Sequence, residues 1–180
     1  MANLKDPSVI IEKLKELKEW QKKEFMSLAA RRTQVFLHQN FRKEGYTNNG
    51  FKPWVKRLQT EDGGRRAILV QKAHLRNSVI ATHSANRIFV SSNLIYAKIH
   101  NEGETNVVTP RQRGWFWRKH YDAKKEGDTA AAERFKRMAL SKVLIMPQRQ
   151  FMPLPNEGIP FELSEIFTAD VEKKLNLILS

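Results

Sequence analysis

Residues 67–103 constrain this chain most, because two short β-favouring runs stand close together there. In residues 78–84 the side chains alternate between the two sides of an extended chain, with apolar groups on both sides. Residues 88–90, Ile-Phe-Val, form the second run, and residues 84–87 between the runs are typical turn formers. The pattern predicts an antiparallel hairpin whose apolar side chains must pack on another element.

The first forty residues predict that element. Residues 6–8, Asp-Pro-Ser, are a helix-start signal, and apolar residues then recur at helical spacing as far as about Arg42. One stripe of this helix is expected to face inward, with a kink near Trp20 or residues 29–30. The spacing drifts off a strict heptad, so core packing is favoured over a coiled-coil partner. We predict that the hairpin packs on this long helix.

The rest of the chain alternates between breaks and short elements. Residues 45–66 form a break with two turn-rich pieces, the second at Glu-Asp-Gly-Gly. Residues 143–146 are expected to be an edge or closing strand, and the proline-rich residues 147–155 an extended arm. An apolar stripe predicts a C-terminal helix over residues 164–179, capped by its first residue or by Thr168.

Together these patterns predict an α+β fold. A long N-terminal helix and a C-terminal helix pack on a small antiparallel β-sheet, and a basic helical insertion occupies about 110–142. The 180 residues, of which 41% are hydrophobic, suit a single domain, 1–180. The chain has no cysteine, which excludes disulfides, thiolate catalysis and cysteine-based zinc sites. No apolar run approaches the ~20 residues of a membrane span, and no signal peptide is recognisable, so we expect no membrane partner.

The net charge of +13 is unevenly distributed. Residues 110–142 carry 10 basic and 4 acidic side chains, whereas residues 143–180 carry 3 basic and 5 acidic ones. A positive surface favours encounter with nucleic acid, and it equally suits a protein whose neighbours are acidic. Composition alone leaves both partners open.

Aromatic and cationic residues alternate in the basic insertion. Such residues can stack on bases and bind phosphates, can pack their rings inward with the charged ends in water, or can form a subunit interface. The candidate interface residues are Arg113, Trp115, Trp117, Arg118 and Tyr121.

Catalytic patterns are scarce. The 5 histidines form neither H-x-x-x-H nor H-E-x-x-H, and no G-x-S-x-G motif supplies a nucleophile. The sequence His100-Asn101-Glu102 could be a fragment of a nuclease motif, but further metal ligands at a workable spacing are lacking. We therefore expect a protein that is not an enzyme and has no catalytic, cofactor-binding or metal site.

Four short pieces in a fixed order resemble a known family. They are a tryptophan beside a proline, a Leu-Arg-x-Ser piece before the hairpin, Tyr-Ala-x-Ile-His-x-x-Gly after it, and Pro-x-Arg-x-Phe much later. The residues are Trp54, Leu75, Arg76, Ser78, Tyr96, Ala97, Ile99, His100, Gly103, Pro147, Arg149 and Phe151. Over roughly residues 41–152 the chain thus resembles the phage virion morphogenesis (tail completion) family of Mu-like phages and prophages.

The resemblance implies a structural protein of virion assembly. Such a protein would complete or terminate the tail or join it to the head, as a ring of identical copies in contact with other tail or head-tail proteins. It would be found in the bacterial host cytoplasm during assembly and then in the virion. His100, Arg149 and Phe151 would act structurally. The alternative is a basic nucleic-acid-binding module, and transient contact with DNA fits either case.

Overall fold

The computed structural model describes residues 6–56, 67–70 and 72–180, and the fold is α+β. A long N-terminal helix, a C-terminal helix and small antiparallel ladders make up the structure, as predicted. The chain divides into two compact units, the first formed by Met1–Ala97 with Arg149–Ser180 and the second by Lys98–Gln148. The expected turn at residues 61–64 lies outside the described residues.

The long helix runs through three consecutive segments. Helix α1 spans Pro7–Trp20, a π-helical stretch spans Gln21–Phe25, and helix α2 spans Met26–Lys43. The side chain of Asp6 accepts a hydrogen bond from the Ser8 amide (2.9 Å), so the predicted start signal is confirmed. The change in helix type follows directly after Trp20, one of the two places where the sequence predicted an irregularity.

The two halves of this helix differ in burial. None of the described residues of α1 is buried, and the apolar side chains of Ile10 and Leu14 are 41% and 59% exposed. Helix α2 provides the inward stripe, made of Ala29, Ala30, Thr33, Phe36, Leu37, Asn40 and Phe41. The expectation of one inward stripe along the whole helix is therefore wrong for α1, because the core of the first unit lies against α2.

A hairpin stands where the sequence indicated only a break. Strand β1, Gly45–Thr47, pairs antiparallel with strand β2, Phe51–Pro53. The turn between them uses Asn49 (φ 51°) and Gly50 (φ 111°), which are the two residue types that adopt positive φ most readily. The prediction was wrong because strands of three residues are too short for a recognisable alternation.

The β1–β2 turn is held by the start of the C-terminal helix. The carboxylate of Glu162 accepts hydrogen bonds from the amides of Gly50 (2.8 Å) and Asn49 (3.1 Å). These bonds, above all the one from Gly50, lower the pKa of Glu162. In return, the side-chain oxygen of Asn48 accepts from the Phe161 amide (3.1 Å).

This exchange explains where the last helix begins. Helix α7 spans Phe161–Leu179 and starts after Pro160, three residues before the predicted start. The hydroxyls of Ser164 and Thr168, the predicted caps, instead donate to carbonyls of the preceding turn. The cap prediction was wrong because Asn48, distant in sequence, satisfies the first amide of the helix.

The predicted central hairpin is present. Helix α3, His74–Ser78, leads into strand β3, Val79–His83, which pairs antiparallel with strand β4, Ile88–Ser92. The Ser84 amide donates to the Arg87 carbonyl (2.8 Å) and closes the predicted turn.

Gln34 joins this hairpin to the long helix. From α2 its amide oxygen accepts from the Ala81 amide, and its amide nitrogen donates to the Val79 carbonyl, both at 2.8 Å. The predicted packing of hairpin on helix is thus confirmed. Only one face of the hairpin is inward, however, because Ile80 and Phe89 on the other face are each 48% exposed.

Aromatic rings fill the core of the first unit. Phe41 lies 4.9 Å from Phe151 and 5.6 Å from Trp54, measured between ring centroids. Leu163 brings α7 into the same cluster. At the surface, the guanidinium of Arg32 makes a bidentate pair with Asp170 of α7 (2.8 and 2.9 Å).

The second unit is a helical hairpin on a two-stranded ladder. Helix α4 spans Ala97–Glu102 and strand β5 spans Glu104–Val107. Helices α5 (Pro110–Lys125) and α6 (Thr129–Leu140) follow, and strand β6, Val143–Met146, pairs antiparallel with β5. The helical insertion and the closing strand are as predicted. Residues 95–96 form a turn before α4. Strand β5 was not predicted, because its only partner in the described residues is the distant β6.

Local signals fix the starts of the two helices in the insertion. Thr109 and Gln112 form a reciprocal capping box at the start of α5, and Asp128 caps α6 through the Ala131 amide (2.9 Å). Between the helices and the ladder, Phe116 is buried in a small apolar cluster. The other members are Val108, Trp117, Phe135, Met138, Ala139 and Leu144.

We predict that Gly45→Ala destabilises the protein. A Cβ atom at this position would overlap the Phe51 ring and lie 2.6 Å from the Lys52 carbonyl oxygen. Overpacking of this kind typically costs about 1–3 kcal/mol. Urea unfolding of the full chain measures the loss.

Gly114→Ala is the matched control. Its Cβ would meet no atom within 4 Å, and a glycine inside a helix is less favourable than alanine by about 0.5–1 kcal/mol. The control should be neutral or stabilising. Equal effects of the two changes would contradict the packing at Gly45.

Candidate assembly interface

Three side-chain hydrogen bonds hold residues 149–151 of the returning arm in the first unit. The indole nitrogen of Trp54 donates to the Gln150 carbonyl (2.6 Å), and Asn40 of α2 donates to the Phe151 carbonyl (3.2 Å). The Arg149 guanidinium in turn donates to the Val55 carbonyl (3.1 Å). Consecutive residues of an irregular segment are thus bonded inside a core, where unpaired carbonyls would be costly.

Trp54, Arg149 and Phe151 therefore lie together. Trp54 and Phe151 are buried, and even Arg149 is only 8% exposed. Trp54 therefore packs in the core of the first unit.

Gly103 meets the other end of the arm, inside the second unit. Its φ is +74°, and a Cβ there would lie 3.0 Å from the Gln148 amide nitrogen, directly after Pro147. Both the backbone angle and the lack of space favour glycine. Nearby, Asn101 is buried, whereas Ile99 and His100 are partly exposed.

The Leu-Arg-x-Ser piece shapes the entry to the central hairpin. Leu75 is buried, and the Ser78 hydroxyl donates to the Leu75 carbonyl (2.8 Å) and shares a hydrogen bond with the Ser92 hydroxyl (2.7 Å). Ala97 is buried in the same apolar cluster as Leu75. The hydrogen bond between Ser78 and Ser92 therefore ties the start of β3 to the end of β4.

Two motif residues lie nearer to the surface. Tyr96 is 38% exposed, and Arg76 is partly exposed beside Asn77. The charges of Arg76 and Arg42 contribute to a lowered pKa of His38, although desolvation by burial is the larger cause.

Four of the candidate interface residues of α5 are exposed, whereas Trp117 is partly buried and packs against the cluster around Phe116. Trp115 and Tyr121 are 47% and 57% exposed, and the Trp117 ring stacks on Tyr121 with centroids 6.2 Å apart. The Lys119 ammonium lies 6.0 Å from the Trp115 ring, and Arg118 is exposed beside it. Trp115 also meets Phe135 of α6 edge-on at 5.9 Å.

Arg113 lies at the end of α5 that adjoins the ladder. Its guanidinium donates to the Ser141 carbonyl over 3.5 Å, just before β6. Further along α5, the ring of His120 bonds the Ala132 carbonyl (2.8 Å), so the two helices are joined by a side chain as well as by packing. The aromatic surface is therefore carried on a braced helix.

Among the described residues, no group of three or more His, Cys, Asp or Glu side chains could hold a metal ion. Within the same residues, every helix is too short or too polar to cross a membrane.

The chain has no match in the three comparisons made: no protein-family model, no curated protein and no solved structure corresponds to it.

Sequence reasoning missed several residues that organise the site. Asn40 and Gln34 lie on α2, and for Gln34 nothing in the local pattern distinguishes it from a solvent-facing amide. Glu162 is a similar case at the start of α7. A weak signal did exist for Asn40, since it falls on the same helical face as Phe36 and Phe41.

We predict that Trp54→Phe lowers the free energy of unfolding by about 1–3 kcal/mol, because the buried Gln150 carbonyl loses its donor. Trp115→Phe is the matched control on the exposed surface and should change stability by less than about 0.5 kcal/mol. Chemical denaturation of both variants measures the two changes in the free energy of unfolding. Equal losses would show that the indole bond to the arm is not important.

Proposed function

We propose that this chain is a structural subunit of phage virion assembly. It completes or terminates the tail, or joins the tail to the head, and it works as a ring of identical copies. The protein is not an enzyme. It occupies the bacterial host cytoplasm during assembly and then the virion, where other tail or head-tail proteins contact it.

The observation that carries the proposal is how the resembling pieces lie in the fold. Trp54 and the Arg149-x-Phe151 piece lie almost a hundred residues apart in the chain and meet in the first unit. The Trp54 indole donates to the Gln150 carbonyl, the Arg149 guanidinium donates to the Val55 carbonyl, and the rings of Trp54 and Phe151 both pack on Phe41. In the second unit, Gly103 lies against the arm next to Pro147. The pieces on which the resemblance rests thus lie in contact within each unit, and this arrangement supports the proposal.

A second observation supports assembly. The exposed rings of Trp115 and Tyr121 and the nearby cations of α5 are residue types that are enriched at protein interfaces. Residues 143–180 are acidic on balance and complement them. Charge would then set encounter rate and register, while the rings hold the contact.

The alternative is a nucleic-acid-binding module. The same surface favours it, since Lys119 lies over Trp115 and further cations, among them Arg111, Lys124 and Lys125, are exposed along α5. Base stacking on aromatic rings with cations close by is how single strands are held. Transient DNA contact is compatible with both functions, so the experiment must measure assembly and DNA binding together.

Size-exclusion chromatography with light scattering tests the proposal. We expect a discrete oligomer at a whole multiple of 21.0 kDa, stable to moderate salt. In the double variant Trp115→Ala, Tyr121→Ala the association should weaken by about fivefold or more per residue, as for interface anchors worth over 1 kcal/mol.

Arg118→Gln with Lys125→Gln is the matched control, because it removes two charges of α5 and leaves the rings. It should mainly slow assembly. A monomeric parent whose salt-sensitive DNA affinity falls in both double variants would overturn the assembly proposal and favour the nucleic-acid module.

A further inference from the structure

The β5–β6 ladder exposes an apolar face. In the antiparallel register Val107 pairs with Val143 and Thr105 with Ile145, so these four side chains share one face. Val107 and Ile145 are 73% and 75% exposed. Solvent-facing positions of a strand are usually polar, so the pattern is that of a face made to be covered.

The outer edge of β6 is open as well. The Val108 amide donates to the Lys142 carbonyl (2.9 Å), and the alternation of an antiparallel ladder then turns the backbone groups of Val143 and Ile145 away from β5. The Val143 carbonyl accepts a hydrogen bond from the Ser141 hydroxyl, which leaves the Val143 amide and both backbone groups of Ile145 for a partner. Among the hydrogen bonds of the described residues, none reaches Ile145 from outside its own ladder. Unprotected edges of this kind pair readily with another strand.

In the first unit an apolar groove of about 560 Å³ runs along β4. One wall is β4 itself, and the other walls are the proline-rich arm and the start of α7. Its lining includes Phe89, Val90, Leu154, Ile159, Leu163 and Phe167. Glu157 is the one charged side chain among the described residues that line it.

The outer edge of β4 faces this groove. The bond between Ser84 and Arg87 sets the alternation of the β3–β4 ladder, which turns the backbone groups of Ile88 and Val90 outward. Gln34 covers the opposite edge, along β3, with two hydrogen bonds. For Ile88 and Val90 the described residues provide no such cover.

The two open surfaces complement each other. Each offers outward backbone groups on alternate residues, Ile88 and Val90 on one side and Val143 and Ile145 on the other. Lys142 is exposed directly before β6, whereas the groove carries the carboxylate of Glu157. An apolar strand with a cation at its start thus matches an apolar groove that contains an anion.

We infer that strand β6 of a second copy of this chain adds to the outer edge of β4. Its Val143 and Ile145 side chains enter the groove, and Lys142 lies towards Glu157. The inference rests on the proposed function, because it names the contact between copies in the ring. The contact is heterologous, since each copy offers its groove to one neighbour and its ladder to the other, as a closed ring requires.

Thiol crosslinking tests this contact cleanly, because the chain has no cysteine of its own. Ser91→Cys places a thiol at the groove, and Ile145→Cys places one on the ladder. When the two variants are co-expressed, a short thiol-specific crosslinker should give a covalent dimer that joins residue 91 to residue 145. Neither variant alone should give one.

Controls replace one partner at a time. Ser84→Cys lies on the same hairpin at its tip, and Leu177→Cys is similarly exposed (69%) on α7. Ser84→Cys should not crosslink to Ile145→Cys, and Leu177→Cys should not crosslink to Ser91→Cys. Independently, Ile145→Asp should weaken association at least about tenfold, because a charge would be buried in an apolar groove, whereas Leu177→Asp should not.

The possible outcomes distinguish failure of the groove contact from failure of the assembly function. An oligomer that forms without any 91–145 crosslink overturns the groove contact and leaves the assembly function standing. A crosslinked dimer from Ile145→Cys alone means that ladders face each other and also overturns it. A parent that is monomeric by light scattering removes the assembly function and this contact with it.

Discussion

The first unit depends on the return of residues 149–152 to the long helix. The chain leaves this unit after Ala97 and re-enters it at Arg149. On re-entry Phe151 becomes fully buried against Phe41, and the carbonyls on either side of it are bonded by Trp54 and Asn40. Burial of the ring drives the return, while the polar bonds determine which residue enters the core.

This return also positions the rest of the proline-rich arm and the last helix. The carboxylate of Glu157 accepts from the Leu154 amide and from the Gln150 side chain, which folds the arm back on itself. The Tyr46 hydroxyl donates to the Glu157 carboxylate over 3.4 Å, and burial together with the Glu157 charge raises the pKa of the phenol. The arm then leads into α7, so the groove beside β4 exists only because the arm is fixed.

Sequence patterns predicted the parts that local physics determines. The long helix, the central hairpin and the helical insertion each carry their own periodicity or capping residues, as at Asp6 and Thr109. The β1–β2 hairpin and strand β5 were missed because each is stabilised by partners far along the chain, such as Glu162 and β6.

The candidate site likewise contains residues that the sequence indicates and features that only the fold creates. Its exposed rings, Trp115 and Tyr121, could be named from the local composition, whereas the motif residues of the arm were named only from the resemblance to a family. The groove could not, because it arises where three separate segments meet. The exposed face of the ladder left a weak trace in Val143 and Ile145, an alternation that a buried strand could also show.

Native-state amide hydrogen exchange of the Phe151→Ala variant tests most directly whether the returning arm stabilises the first unit. Removing a fully buried phenylalanine typically costs about 3–5 kcal/mol. Amides of α2 and β3 should therefore lose protection by about a hundredfold or more, while those of α5 and α6 keep theirs. Unchanged protection in α2 and β3, or an equal loss in α5 and α6, would contradict the account.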